Sequence, residues 1–272
     1  MTKASLQCMV GLMAPKTEKE VSGLELLRQP ATPALARYLN DLHSVLGFQA
    51  YLWRVIVKAD YSHGDPTKIP KPGDPPPPDN AASQMDIHSS ILGEMVFCRG
   101  VNSLLTYLAD MMTLIYEKYP KKLRGDKQTT YRFCIEHHLA GDLISALAEK
   151  AVMELTYRSL DDLADHFKRD LDLLLFTKDA QSANARLCVD IRNLITHNRG
   201  IVNRFFIQRN PRFANDLGKR VVFGEQNREE MLGDLGYCAR QLDLRAIKKF
   251  GLETIEPRFK ESAHVPSPDG AA

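Results

Sequence analysis

Residues 190–203 read DIRNLITHNRGIVN, and within them Arg192, Asn193 and His197 are the side chains best suited to chemistry. A free imidazole titrates at about 6.5, so a histidine such as His197 suits proton transfer near neutral pH. Arg192 offers a permanent planar cation whose paired N–H groups match two oxygens of a phosphate. Asn193 adds an amide that can orient either neighbour or donate to the same anion.

These residues need a helix to position them. At helical spacing Ala183, Leu187, Ile191, Leu194 and Ile195, with Ile201 and Val202 beyond, share one apolar face. Asn198 falls in the middle of that face, which predicts a structural amide that enters the core and ties two helices together. Arg186, Asp190, Asn193 and His197 line one flank, and Arg192, Thr196 and Arg199 line the other. Arg192 and His197 are thus about 140° apart on one helix. That spacing fits a site in which the Arg of one copy meets the His of another across a symmetric helix pair, so a homodimer is expected.

Arg132 and His137 in RFCIEHH repeat the bare spacing without the following Asn residues, and serve as an internal control. The full string RNLITHNRG resembles the motif of the HEPN superfamily, an Arg, a polar residue, three variable residues and a His late in an all-α domain. By helix order the resemblance covers roughly residues 85–250, with nine residues carrying its sharpest part. It implies a four- to five-helix bundle that dimerises and gathers the Arg and His of both subunits in a cleft. It also implies metal-independent endoribonuclease activity of the kind used in toxin–antitoxin, abortive-infection and CRISPR-linked systems. Other members of the superfamily have lost catalysis and act as RNA-binding, protein-binding or sensor domains, and that alternative stays open. Arg192, Asn193 and His197 match the motif, whereas the Tyr that some toxin branches carry two residues after the His is Arg199 here.

RNA carries its own nucleophile, because the 2′-hydroxyl attacks the adjacent phosphate once it loses its proton. The resemblance therefore implies His197 as proton carrier, Arg192 as charge stabiliser and no cofactor or metal. Residues 199–220 hold Arg199, Arg204, Arg209, Arg212, Lys219 and Arg220 against Asp216 alone, a net charge of +5, with Phe205, Phe206 and Phe213 interleaved. Such a run can neutralise a nucleic-acid backbone and stack splayed bases, and Arg199, Arg204, Arg209 and Arg212 are its candidate RNA contacts. It can equally be a solvated loop with its Phe residues packed inward.

Other groupings carry less. His137 and His138 point about 100° apart on a helix and lack a completing ligand set. Asp161, Asp162 and Asp165 fall in the first turns after Ser159, where they favour the helix dipole, and Ser159 with Asp162 has capping-box spacing. Walker, dinucleotide and nucleophile-elbow motifs are missing from the sequence. Lone Trp53 is expected in the core. A third class of function, a plain helical scaffold in which the polar stretch only fixes register, also remains.

The 272 residues are 44% hydrophobic and 26% charged, as in soluble globular proteins, which excludes fibrous and wholly disordered classes. A net charge of +2 gives no global nucleic-acid signature, so the electrostatic argument is local. Cys8, Cys98, Cys134, Cys188 and Cys238 are isolated and odd in number, which suits free thiols in a reducing cytosol. The apolar patch near the N-terminus is too short for a secretory signal or a membrane span, so a cytoplasmic protein without membrane partners is expected.

The pattern is helical nearly throughout. Helices are expected over 32–59, with Gly47 as a candidate break, over 94–120 up to Pro120, over 129–158, from Ser159, over 179–199 and over 228–250; VVF at 221–223 is the best strand candidate. The run at 65–80 contains seven Pro and reads as an extended connection. The expected organisation is an all-α, up-and-down HEPN-like bundle over 81–255, preceded by a helical extension over 1–80 and followed by a disordered tail over 256–272. Besides a second copy and RNA, an antitoxin or regulatory protein is an expected partner.

Overall fold

The computed structural model describes residues 29–63, 81–123, 128–156, 158–221 and 225–256. Within them the protein is an all-α bundle, in which the only β pairing is two isolated bridges, Ala31 with Ile255 and Ile201 with Arg220. The helices are α1 (Pro33–His63), α2 (Ala81–Lys118), α3 (Tyr131–Ala140), α4 (Leu143–Thr156), α5 (Leu160–Arg169), α6 (Asp179–Asn198), α7 (Arg204–Arg209) and α8 (Glu225–Phe250). Short 3-10 turns follow α2 at Pro120–Lys122 and α7 at Pro211–Asp216.

Helix α2 is the axis of the bundle and packs against α1, α4, α6 and α8. Its buried residues Phe97, Val101, Leu104, Leu108, Met111 and Ile115 recur at three- and four-residue steps, the stripe a central helix needs. Gly100 lies in the same stretch, and a Cβ there would stand 2.6 Å from Leu232, so the missing side chain lets α8 approach closely. The helix ends at Lys118, before Pro120.

Three expectations are corrected. The single helix over 129–158 is two: Thr130 caps α3 by accepting from Phe133 N at 3.2 Å, and Gly141 at φ 75° ends it in a left-handed turn. Helix α1 runs through Gly47 without a break. That helix also belongs to the bundle and is no extension, because Ala34, Leu35, Tyr38, Leu39 and Leu42 join the main core. A proline-rich run interrupts the chain without deciding where the apolar faces on its two sides will meet. The part of the expected extension before residue 29, the connection at 65–80, the tail beyond 256, Cys8 and the Trp53 side chain lie outside the described residues; so does most of the VVF segment, although Val221 N donates to Gly200 O at 2.8 Å.

The two ends of the described chain are fastened together. Thr32 donates from its backbone N at 3.2 Å and from its hydroxyl to Asp243, while the same hydroxyl accepts from Leu35 N and caps α1. Ala31 and Ile255 exchange backbone hydrogen bonds of 3.0 and 2.8 Å. Asp243 is fully buried with Arg240 at 3.8 Å, and burial pushes its carboxyl above the usual range against the pull of the Thr32 bonds and Arg240.

Helix α5 begins at the expected capping box, with both reciprocal Ser159–Asp162 bonds formed. At its far end Tyr116, His166 and Asp170 form a chain. Burial pushes the Tyr116 phenol up to about 12, so its hydroxyl keeps its proton and donates to His166 Nε2. The His166 Nδ1–H then donates to Asp170 Oδ2 at 2.7 Å. Burial lowers the His166 pKa below its ordinary 6.5, more than the Asp170 charge raises it.

With a folded pKa below the unfolded value, His166 binds a proton more readily in the unfolded chain. Its contribution is therefore complete above pH 6.5 and is lost progressively as pH falls below that value toward the folded pKa. Urea denaturation from pH 7.5 down to 5 should show falling stability, with a shallower fall in His166→Gln. An equal fall in that variant would assign the effect elsewhere.

Candidate functional site

Helix α6 runs over Asp179–Asn198, with Asp179 in its first turn and His197 in its last, each matching the sign of the helix dipole there. Its buried residues are Ala185, Leu187, Cys188, Asp190, Ile191 and Leu194. The buried arc is thus rotated from the expected stripe, taking in Ala185 and Cys188 while leaving Ala183 exposed. The rotation arises because α6 packs against both α2 and α8, so a second face is covered.

The rotation half-buries Arg192 and leaves His197 exposed. Arg192 Nη1 donates to Asn193 Oδ1 at 2.7 Å, so the Asn at the polar position of the motif fixes the guanidinium plane. Arg192 Nε is buried without a hydrogen-bond partner among the described residues. On the α2 side lies Cys98, whose thiol is raised chiefly by burial and lowered by a hydrogen bond with Thr196 and by the Arg192 charge, with Glu94 opposing. His197 makes no hydrogen bond or ion pair among the described residues, and none joins it to Arg192. One copy of the chain therefore brings Arg192 and Asn193 together and leaves His197 apart.

Asp190 holds a position that its place beside the motif does not reveal. It is 9% exposed, receives Arg209 Nε at 3.0 Å on Oδ1 and Asn210 Nδ2 at 3.0 Å on Oδ2, and so ties the end of α7 to the flank of α6 that carries His197. Arg186, on the same flank, pairs with Asp161 of α5. The candidate RNA contact Arg209 is thus committed within the fold, whereas Arg199, Arg204 and Arg212 are exposed and have no carboxylate partner among the described residues.

Asn198 does not tie two helices together. It is half-buried and its Nδ2 donates to Ile201 O, closing the turn that ends α6. The helix stops because Arg199 and Gly200 both take left-handed conformations, φ 55° and 73°, so Ile201 leaves the helical register and is exposed. Gly200 lies against the pair Arg220–Glu94, whose two N–H···O contacts are 2.9 and 2.8 Å long. That bidentate pair, 126 residues apart in sequence, pins the returning loop onto α2.

The weaker groupings resolve into structural roles. His137 pairs with Asp142 and lies tilted against the Phe133 ring, and Arg132 pairs with Glu136. Asp161 faces Arg186 and Asp162 caps α5. Among the described residues no three His, Cys, Asp or Glu side chains gather as a metal site, and no helix is long and apolar enough to cross a membrane. Cys98 and Cys134 are half-buried free thiols, and Cys188 and Cys238 are buried ones.

Comparison with protein-family models, with curated proteins and with solved structures finds no match.

Asp190→Ala leaves Arg209 without its acceptor and Asn210 with Phe206 O alone, so it should lower unfolding stability by about 1 to 3 kcal/mol, with Asp190→Asn retaining part of it. Urea denaturation reads this directly; an unchanged midpoint would mean that α7 is held without Asp190. Arg199→Gly removes a left-handed Arg and should leave stability unchanged or raise it by up to about 1 kcal/mol. A clear loss of stability would show that the Arg199 side chain itself supports the turn.

Proposed function

We propose that this chain is a metal-independent endoribonuclease of HEPN type whose cleft forms between two copies, as in toxin–antitoxin or abortive-infection systems. The observation that carries the reading is the division of α6. Arg192 stands half-buried on one flank with its plane set by Asn193, and His197 stands exposed and unpartnered among the described residues on the other. A two-fold pairing of α6 helices would set the Arg192 of one copy against the partner's His197.

In that cleft His197 accepts the 2′-hydroxyl proton as the oxygen attacks phosphorus. Arg192 donates to the non-bridging oxygens as negative charge builds on the phosphorane. The 5′-oxygen leaves with a proton from the second imidazole, giving a 2′,3′-cyclic phosphate and a 5′-hydroxyl. Asn193 acts as a positioning residue for Arg192, and Arg199 and Arg204 hold flanking phosphates.

The half-burial of Arg192 beside Cys98 favours a second reading, in which Arg192 is structural and the domain binds RNA or a protein without cutting. Cleavage of labelled RNA separates the two. In excess EDTA the wild type should cut and leave cyclic phosphate ends, and light scattering at micromolar concentration should give a dimer. His197→Ala should lower cleavage by about 100-fold or more with an unchanged melting temperature, as befits an exposed side chain. Arg192→Ala should lower both binding and rate, and alanine at Arg132 or His137 should change neither. A Mg²⁺-dependent activity or a monomer would sink the mechanism; RNA binding without cleavage would leave the silent domain.

A further inference from the structure

The fold sorts the three phenylalanines that follow α6. Phe206 is 3% exposed and meets Phe213 edge-on, ring centroids 5.2 Å apart, so these two form the inner side of the α7 unit. Phe205, one residue earlier, is turned about 100° away on the helix and is 68% exposed. Its backbone is not free to bring it inward. Asn203 Oδ1 accepts from Phe206 N at 2.8 Å, Asp190 holds Arg209 and Asn210, and Val202 exchanges backbone bonds of 2.9 Å with Lys219 and Gly218. An aromatic ring therefore stands in solvent on a fixed support, so contact would cost side-chain ordering but little backbone entropy.

The fold sorts the cations as well. Arg209 is taken by Asp190, Arg220 by Glu94 and Lys219 by Asp216. Arg199, Arg204 and Arg212 are exposed without a carboxylate partner among the described residues, and Arg212 lies over the Phe213 ring at 5.1 Å. Asp216, the one acid of the run, is engaged by Lys219. The segment after α6 thus exposes one ring, Phe205, with Arg204 next to it in the chain, and three guanidiniums without a carboxylate partner among the described residues. Because Arg209 and Asn210 reach Asp190, seven residues before His197 on the same flank, the end of α7 returns to the His197 side of α6.

We propose that Phe205 is a base-stacking residue and that this surface takes single-stranded RNA, with Arg199 and Arg204 on the backbone phosphates; the proposal rests on RNA being the ligand, as argued above. Unpaired bases offer faces that a ring can cover, whereas a duplex buries those faces in its own stack. An exposed ring on a segment whose cations outnumber its one, paired acid matches a polyanion that carries flat apolar groups. Ile201 and Leu217, also exposed, would serve a protein partner better, and the test distinguishes that case.

The experiment uses the full chain and fluorescence anisotropy with an oligouridine of about a dozen nucleotides, against a blunt RNA duplex of equal length. The wild type should prefer the single strand. Phe205→Ala should weaken single-strand binding about tenfold without changing its salt dependence, and Phe205→Trp should restore it. Arg204→Ala should reduce the slope of log affinity against log salt by about one. An unchanged affinity in Phe205→Ala, or an equal loss on single strand and duplex, overturns the stacking role while RNA binding itself stands. Wild type that binds neither RNA overturns the ribonuclease and RNA-binding readings with it. Phe205→Ala that dissociates a dimer at unchanged RNA affinity assigns the surface to a second copy and overturns the proposal. Melting temperature serves as the control, since so exposed a side chain should not move it.

Discussion

A buried carboxylate, Asp190, anchors the segment that follows α6. Asp190 is nearly out of solvent, and a buried carboxylate is tolerable only when its oxygens are filled by charged or polar donors. Arg209 and Asn210 fill them, and both lie at the far end of α7. Satisfying Asp190 therefore requires the chain to reverse after Asn198 and return to the helix it has just left. The left-handed pair Arg199–Gly200 supplies the reversal, and the Asn198 amide closes it. The Arg220–Glu94 pair then returns the loop to α2.

The same constraint separates the two chemical residues of the motif. Packing α6 against α2 and α8 while one flank is given to Asp190 leaves two edges that differ in character. One holds Arg192, half-buried, oriented by Asn193 and next to the Cys98–Thr196 contact. The other holds His197, exposed above the Asp190 clasp. On the proposed function these are halves of two sites, each completed by a second copy. On that reading the geometry of one chain follows from α6 serving core and cleft together, because side chains about 140° apart on one helix meet more naturally across two copies than on one.

What was legible in the sequence was what local rules govern. The Ser159 capping box, the end of α2 ahead of Pro120 and the limits of α6 each depend on neighbours within a few residues. Where a local signal was ambiguous, reading failed. Gly47 stays inside α1 whereas Gly141 ends α3, and what separates them is the φ that the surrounding turn imposes. Contacts across more than a hundred residues left no trace: Thr32 with Asp243 and Glu94 with Arg220 become neighbours only through the bundle. The placement of Asn198 failed for a related reason. Its angle on an ideal helix pointed to the core, but the helix ends there, and an amide at a helix end bonds to the turn.

The basic run after α6 shows how far composition can be carried. Counted along the sequence, residues 199–220 carry a net charge of +5 with three aromatic rings, which overstates what a ligand would meet. Three of the six cations are engaged by carboxylates, and two of the three rings pack against each other. The fold spends Arg209 and Arg220 on anchoring, and each anchor fixes the segment that presents the remainder. Pairing a cation removes its field but can raise the value of its neighbours, because the Arg209–Asp190 pair, with the Asn203 cap and the Val202 backbone bonds, helps to hold the segment that carries Arg204 and Phe205. A fully unpaired run would carry more charge and less geometry. Binding that discriminates stacked from unstacked bases needs the geometry, since the charge alone attracts every polyanion equally.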